Sequence, residues 1–132
     1  MKDIVLSIHP KWAKLIYEGK KTIEWRKTCP KAVGANMVFL YETAPVKKVT
    51  GCFVVKGIEG ISLTDKDAKY LRKEYVEGKG CVPMEQLKSY QGKSDCIFGW
   101  VIGRVVRFTD GARDLDDFNI KRAPQSWQYV EA

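Results

Sequence analysis

The chain has 132 residues, of which 45% are hydrophobic and 11% aromatic, so it favours one folded domain over residues 1–132 and excludes a disordered chain. Its formal net charge of +7 suits a polyanion such as nucleic acid, although many small domains carry this much charge for solubility. Because no apolar run approaches the roughly 20 residues of a membrane-spanning helix and no secretory leader is recognisable, we expect a cytoplasmic protein with no membrane partner.

The opening of the chain predicts a strand followed by a short helix. Residues 3–8 are typical of a strand, and Pro10 suits the first turn of a helix, where its missing N–H costs nothing. Gly19 is a natural residue to end that helix. The apolar stripe of the helix recurs at helical spacing and consists of Trp12, Leu15 and Ile16.

A second strand comes next, and its two faces differ. Ile23 and Trp25 can face a core, whereas Glu24 and Arg26 share the opposite face, about 7 Å apart by strand geometry. Lys21 falls on the wrong side of an ideal strand, so it reaches the same site only from the turn or through a bulge. On spacing alone, a surface ion pair on a solvated strand explains this pattern equally well.

The middle of the chain predicts two further strands and then two helices. Residues 37–41 form a continuously apolar strand, and residues 49–58 form a longer one whose internal glycines mark bends. A helix is predicted over residues 65–76, and a second helix begins at Pro83 and closes at Gly92.

The last third predicts a strand over residues 96–108, an acidic turn over residues 110–117, and a short final strand over residues 118–120. We expect ten residues of the strands to form most of the core: Ile4, Leu6, Ile23, Trp25, Val38, Leu40, Phe53, Val55, Ile97 and Val101.

The cysteines and aspartates do not predict a metal site, so we expect no cofactor. Cys29, Cys52, Cys81 and Cys96 lack the Cys-x-x-Cys pairing of zinc sites, and a reducing compartment would keep them as thiols. The acidic turn lacks the spacing of an EF-hand loop.

Residues 19–26 fit the pattern Gly-x-Lys-x-x-Glu-x-Arg, which is the signature of the ASCH domain family, and residues 6–16 resemble that family's opening strand and helix. The resemblance implies an α+β fold: a PUA-like mixed, mostly antiparallel β-barrel of five to six strands with about three helices. It also implies a cleft lined by the signature and a role in RNA or other nucleic-acid binding, in places linked to transcription or translation. We expect a monomer or weak dimer.

Three functions compete for this cleft. The first is an RNA-binding regulator, whose contact residues would be Lys11, Lys14, Lys21, Glu24, Arg26, Lys27, Gln125, Ser126 and Trp127. The second is a hydrolase, in which Lys21 and Glu24 would be catalytic. The third is a sensor of a small nucleobase-like ligand.

The hydrolase has two forms, and whether the protein is an enzyme is open at this point. Some members of the family that this chain resembles are ribonucleases. The similar acetylcytidine amidohydrolase uses a Lys, a Thr and a Glu. Lys21 matches that Lys, but the Thr falls at Glu24, and Glu85 is only a loose counterpart of the Glu.

Overall fold

The computed structural model describes residues 2–31, 36–64 and 73–130. Six strands form one curled sheet in the order β2-β5-β4-β3-β1-β6. Their bounds are Ile4–Ile8 (β1), Ile23–Arg26 (β2), Met37–Glu42 (β3), Lys48–Ile61 (β4), Ile97–Arg107 (β5) and Trp127–Tyr129 (β6). Within the described residues two α-helices accompany them, Pro10–Tyr17 (α1) and Met84–Gln91 (α2). Within these described ranges, no helix is long and apolar enough to cross a membrane.

The sheet confirms the predicted mixed, mostly antiparallel barrel. β1 and β3 run parallel, and the other neighbouring pairs are antiparallel. The register between β4 and β5 shifts twice, between Phe53 and Val55 and again between Val55 and Gly57. Such irregularities bend a long strand, so β4 can pair with both neighbours while the sheet curls.

The strand and helix that open the chain are confirmed. α1 buries Ala13 and Ile16 against the sheet, and Trp12 is half-buried between the two main apolar clusters. Gly19 comes after the helix with φ of +77°, a left-handed conformation that glycine adopts without steric cost. The chain therefore turns sharply into β2.

Nine of the ten predicted core residues are buried, and the prediction for Val101 is wrong. Val101 is half-exposed, whereas its neighbours Trp100 and Ile102 are buried inside the barrel. Because successive side chains of a strand point to opposite faces, Val101 points outward. Ile97 shares that outward face, but it is covered by residues of the segment 73–91.

The segment 73–91, which we call the helical insert, packs over the outer face of β2. Its buried residues Val76, Val82 and Leu87 contact Ile23 and Trp25. The predicted helix over 65–76 falls mainly on residues 65–72, outside the described residues, and the chain then forms a π-helical turn, Glu74–Gly78. The second predicted helix is confirmed as α2.

The predicted final strand at residues 118–120 is wrong. Leu115–Phe118 is a 3₁₀ turn, because the side chains of Asp114 and Asp117 bond each other's backbone in a capping box. Asn119 then ends the turn with φ of +58°. The last strand is β6, which pairs antiparallel with β1 and forms one edge of the sheet.

Candidate functional site

A cleft of about 390 Å³ opens beside β2, between the start of α1 and helix α2. Three aromatic side chains line it, Trp12, Trp25 and Tyr90. Its polar lining comes from Ser7, His9, Glu24, Arg26, Thr43, Gln86 and Gln125. The cleft therefore lies beside the signature, as the sequence predicted, and residue 125 lies on its wall.

Lys21 sits on the turn before β2, where it reaches Glu24 without a bulge. Its side chain is only 1% exposed, and its Nζ lies 3.2 Å from Glu24 Oε1. The same ammonium donates to the carbonyl of Gly80 in the helical insert. Gly80 can approach this closely because it has no Cβ. A Cβ at this position would collide with the indole of Trp25. Lys21 thus ties the helical insert to the barrel.

Arg26 binds the other oxygen of the same carboxylate. Its Nη2 and Nε donate to Glu24 Oε2 at 2.9 and 3.2 Å. Glu24 is therefore held between two cations. The alternation of the strand would assign this face to solvent, but the Glu24 side chain is only 7% exposed. The signature is a buried charge cluster, in which one carboxylate holds two cations in place.

Glu24 is ionised in the folded protein. Burial alone would raise the pKa of its carboxyl, but the charges of Arg26 and Lys21 and their hydrogen bonds outweigh burial and hold the pKa below its usual value of 4.5. An ionised carboxylate only accepts hydrogen bonds. The cleft therefore contains a carboxylate that can accept from an N–H or O–H donor, within a cluster of Lys21, Glu24 and Arg26 whose net charge is +1.

The charge of Glu24 makes stability depend on pH. Because the folded pKa lies below the unfolded one, the stabilisation is fully present above about pH 4.5 and is lost as pH falls through the folded value. We expect the difference in free energy of unfolding between Glu24→Gln and the unmodified protein to become smaller as the pH falls from 7 to 3. Urea unfolding at several pH values in this range measures it. Glu85→Gln is the control, since that side chain is 88% exposed. A gap that stays constant across this range would contradict the prediction.

Side chains, in place of a strand ladder, close the barrel where β2 approaches β6. Arg26 Nη2 donates to the carbonyl of Ser7 at 2.7 Å, and Arg26 Nη1 contacts Ser126 Oγ at 3.2 Å. Trp127 Nε1 donates to Thr28 Oγ1 at 2.8 Å. We call these contacts the seam. Ser126 and Trp127 therefore lie close to the signature, but their polar atoms are used by the fold.

Two exposed lysines stand at the rim of the cleft, each against an aromatic residue that lines it. Lys11 Nζ lies 4.7 Å from the ring centre of Trp12, and Lys27 Nζ lies 5.2 Å from that of Tyr90. Lys14 is exposed on α1, and none of these three lysines is itself among the residues that line the cleft. Of the predicted basic contacts, Lys11 and Lys27 thus keep their ammonium groups accessible beside the cleft.

Helix α2 forms one wall of the cleft, and one buried amide fixes its position. Gln91 is 0% exposed. Its Oε1 accepts from the backbone N–H of Leu63 at 2.7 Å, and its Nε2 lies within 3.3 Å of four oxygens. Two of these are carbonyls of Ser94 and Asp95, on the chain that leads into β5. Gln91 therefore joins the end of β4, the wall helix and the start of β5.

Several residues of the cleft were not predicted from the sequence, among them His9, Thr43, Gln86 and Tyr90. His9 directly precedes α1 and lies within the segment that carries the family resemblance, so it could have been found. Gln86 and Tyr90 could not, because their place depends on how α2 docks. Among the residues that the structure describes, no group of three or more His, Cys, Asp or Glu side chains could hold a metal ion.

Two curated proteins show similarity to this chain. An ASCH domain-containing ribonuclease of Zymomonas mobilis is 32% identical over 75 residues, which are 57% of this chain and 51% of that protein. The large ribosomal subunit protein uL22 of Ureaplasma parvum is 27% identical over 131 residues, 98% of this chain and 40% of that protein. The chain thus spans about half or less of the length of these relatives.

Solved structures and a family model give the remaining comparisons. The crystal structure of ASCH from Zymomonas mobilis has a TM-score of 0.78 and 22% identity, covering 98% of this chain and 88% of that one. A variant of it with a tyrosine replaced by phenylalanine has a TM-score of 0.79 at 21% identity, covering 99% and 91%. These structures share the fold. The model of the ASCH domain matches residues 6–109, most of the chain, and the protein therefore belongs to the ASCH domain family.

Proposed function

We propose that this protein binds single-stranded RNA, with one unpaired base in the cleft and the flanking phosphates on the lysines at its rim. The observation that carries the proposal is the division of charge across the site. The cations of the signature are both bonded to Glu24 inside the cleft, whereas Lys11 and Lys27 stand free of the described ion pairs outside it.

The interior of the cleft offers a hydrogen-bond acceptor and aromatic rings to a base. Glu24 Oε2 accepts two hydrogen bonds from Arg26, but Oε1 has Lys21 as its one partner among the described residues and keeps a lone pair for a donor. Every nucleobase carries at least one N–H group when it is unpaired within a strand, except where it is modified. Trp12 and Tyr90 offer aromatic surface, and stacking on such a ring is worth about 1–3 kcal/mol per base.

The names of the relatives support RNA as the partner. One relative is a ribonuclease and the other is a protein of the large ribosomal subunit. We infer a regulator linked to transcription or translation that acts in the cytoplasm as a monomer or weak dimer, and the ribosomal relative favours translation. A sensor of a free nucleobase-like ligand would use the same interior without the two lysines.

The rim lysines provide the test. For single-stranded RNA, each phosphate contact contributes about −0.7 to the slope of log K against log salt. Removing both contacts with Lys11→Gln and Lys27→Gln should therefore reduce the slope by about 1.4, as measured by fluorescence anisotropy with a short unstructured oligoribonucleotide.

Lys56→Gln is the matched control, because that lysine is exposed on β4, where its side chain packs over Gly103. Its slope should match that of the unmodified protein. Binding that does not change with salt, or that the double replacement leaves untouched, would overturn the proposed placement of the phosphates. Saturable binding of free nucleosides without RNA binding would favour the sensor.

Cleavage of the bound RNA is a second candidate function, because the relative from Zymomonas mobilis is named as a ribonuclease. Hydrolysis of an acylated nucleoside is less favoured, because Glu24 occupies the position of the required threonine and its carboxylate is committed to Lys21 and Arg26. RNA cleavage needs only a group in the cleft that can take a proton from the substrate.

A further inference from the structure

We propose that His9 is the catalytic proton acceptor for RNA cleavage in this cleft. The inference rests on the proposed function, because RNA must first bind there. It assigns the chemistry to a residue outside the signature, in contrast to the Lys21 and Glu24 pair that the sequence suggested.

The signature residues are poorly suited to proton transfer. Glu24 is held ionised by two cations, and a carboxylate whose pKa is lowered is a weak base. Lys21 is enclosed with its ammonium bonded to Glu24 and to the carbonyl of Gly80, so it has no free lone pair. Arg26 stays protonated at any relevant pH. The signature therefore builds the cleft floor and leaves proton transfer to another group.

His9 has the position and the chemistry that this step needs. It lines the cleft, it is exposed, and it is the single histidine of the chain. Imidazole is the side chain that ordinarily gains and loses a proton near neutral pH. An acceptor of this kind contributes about 10²–10⁴-fold to the rate when it is well positioned.

The surroundings of His9 are rigid. Its carbonyl accepts the first hydrogen bonds of α1, from the N–H groups of Trp12 and Ala13 at 3.0 and 3.1 Å. Its Nδ1 lies 3.2 Å from Thr43 Oγ1, and the backbone N–H of Thr43 donates to the carbonyl of Ile8 at 2.9 Å. When Nδ1–H donates to Thr43 Oγ1, Nε2 carries the free lone pair. Thr43 is then a positioning residue that sets the tautomer and the ring orientation.

The reaction is a transesterification. Nε2 of His9 takes the proton of a ribose 2′-hydroxyl, and the 2′-oxygen forms a bond to the adjacent phosphorus. The bond from phosphorus to the 5′-oxygen breaks, and the leaving 5′-oxygen takes a proton from water. The products are a 2′,3′-cyclic phosphate and a free 5′-hydroxyl, and His9 returns its proton to solvent.

The charged and titratable neighbours of His9 come from three elements. Glu24 and Arg26 face the same cleft from β2, Tyr90 faces it from α2, and Lys11 stands two residues away on α1. Glu24 is bonded by Arg26 and by Lys21, so this floor of the cleft carries a net charge of +1.

The test measures cleavage and binding of the same RNA by matched variants. The substrate is a single-stranded oligoribonucleotide with a fluorophore at one end, and its 2′-O-methyl form is the uncleavable control. We expect His9→Gln to lower the cleavage rate by about 10²–10⁴-fold. Its affinity for the 2′-O-methyl RNA should stay within about twofold. Thr43→Val should lower the cleavage rate about tenfold and leave the affinity for the 2′-O-methyl RNA unchanged.

The outcomes separate this inference from the proposed function. Cleavage by His9→Gln at the rate of the unmodified protein would overturn the role of His9. Tight RNA binding without any cleavage by the unmodified protein would also overturn it and leave the RNA-binding proposal standing. Failure to bind RNA even at low salt would overturn both. Products that lack a 2′,3′-cyclic phosphate would exclude attack by the 2′-oxygen, and with it the role of His9.

Discussion

Replacing Lys21 with methionine is expected to destabilise the protein by about 3 kcal/mol, the low end of the cost of breaking a buried ion pair. Methionine fills a similar volume but cannot bind Glu24 or the carbonyl of Gly80. Arg26 still neutralises part of the buried charge, which is why we expect the low end of the range. The midpoint of thermal unfolding should fall on the order of 10 °C, as measured by calorimetry and by urea unfolding.

Lys20→Met is the matched control, one residue away. The Lys20 side chain is 67% exposed, and its nearest carboxylate, on Glu18, is 3.8 Å away. An exposed pair of this kind contributes little, so the replacement should change stability by less than about 0.5 kcal/mol. Equal urea midpoints for Lys21→Met and Lys20→Met would show that the buried ammonium is not a structural tie.

Replacing Gln91 with leucine is expected to cost about 2–4 kcal/mol. Leucine keeps the bulk of the side chain but leaves the N–H of Leu63 and the carbonyls of Ser94 and Asp95 without their partner. A buried polar group that loses its hydrogen bond costs about 1–3 kcal/mol, and here several do so together. Because these bonds anchor α2, RNA affinity should fall as the wall of the cleft loosens.

Hydrogen exchange distinguishes local loosening from global loss of stability. In Gln91→Leu, amide protection should fall more in α2 than in β3, which is not among the elements that Gln91 joins. Gln128→Leu is the control, since that glutamine is exposed on β6, and it should leave both regions unchanged. A uniform loss of protection across the sheet would contradict the assignment of Gln91 to the wall.

Much of the fold was predictable because local rules and the global structure agree. Pro10 and Gly19 mark the ends of α1, and the apolar strand at 37–41 lies in the middle of the sheet. The family signature then supplied the barrel topology. The last strand was predicted at the wrong place. Phe118 and Ile120 resemble a short strand in the sequence, but the capping box of Asp114 and Asp117 favours a 3₁₀ turn there.

The location of the site was predictable from the sequence, but its burial was not. Alternation correctly separated Ile23 and Trp25 from Glu24, and it correctly limited Lys21 to the turn. It could not show that the polar face is buried, because a polar face has the same pattern whether water or protein covers it. Its cover includes Gly80, which accepts from Lys21, and Ser126, which contacts Arg26, and both contacts are long-range properties of the fold.

The seam has a consequence for the order in which the protein matures during synthesis. Arg26 and Ser126 are 100 positions apart, and Ser7 bonds the carbonyl of Pro124 across 117 positions. A ribosome makes the signature early, but the groups that close the barrel around it only about a hundred residues later. Until then Arg26 lacks its partner Ser126, and the nascent sheet has an open edge. A chain that stalls before residue 124 would therefore carry the whole signature and still be unable to complete the cleft.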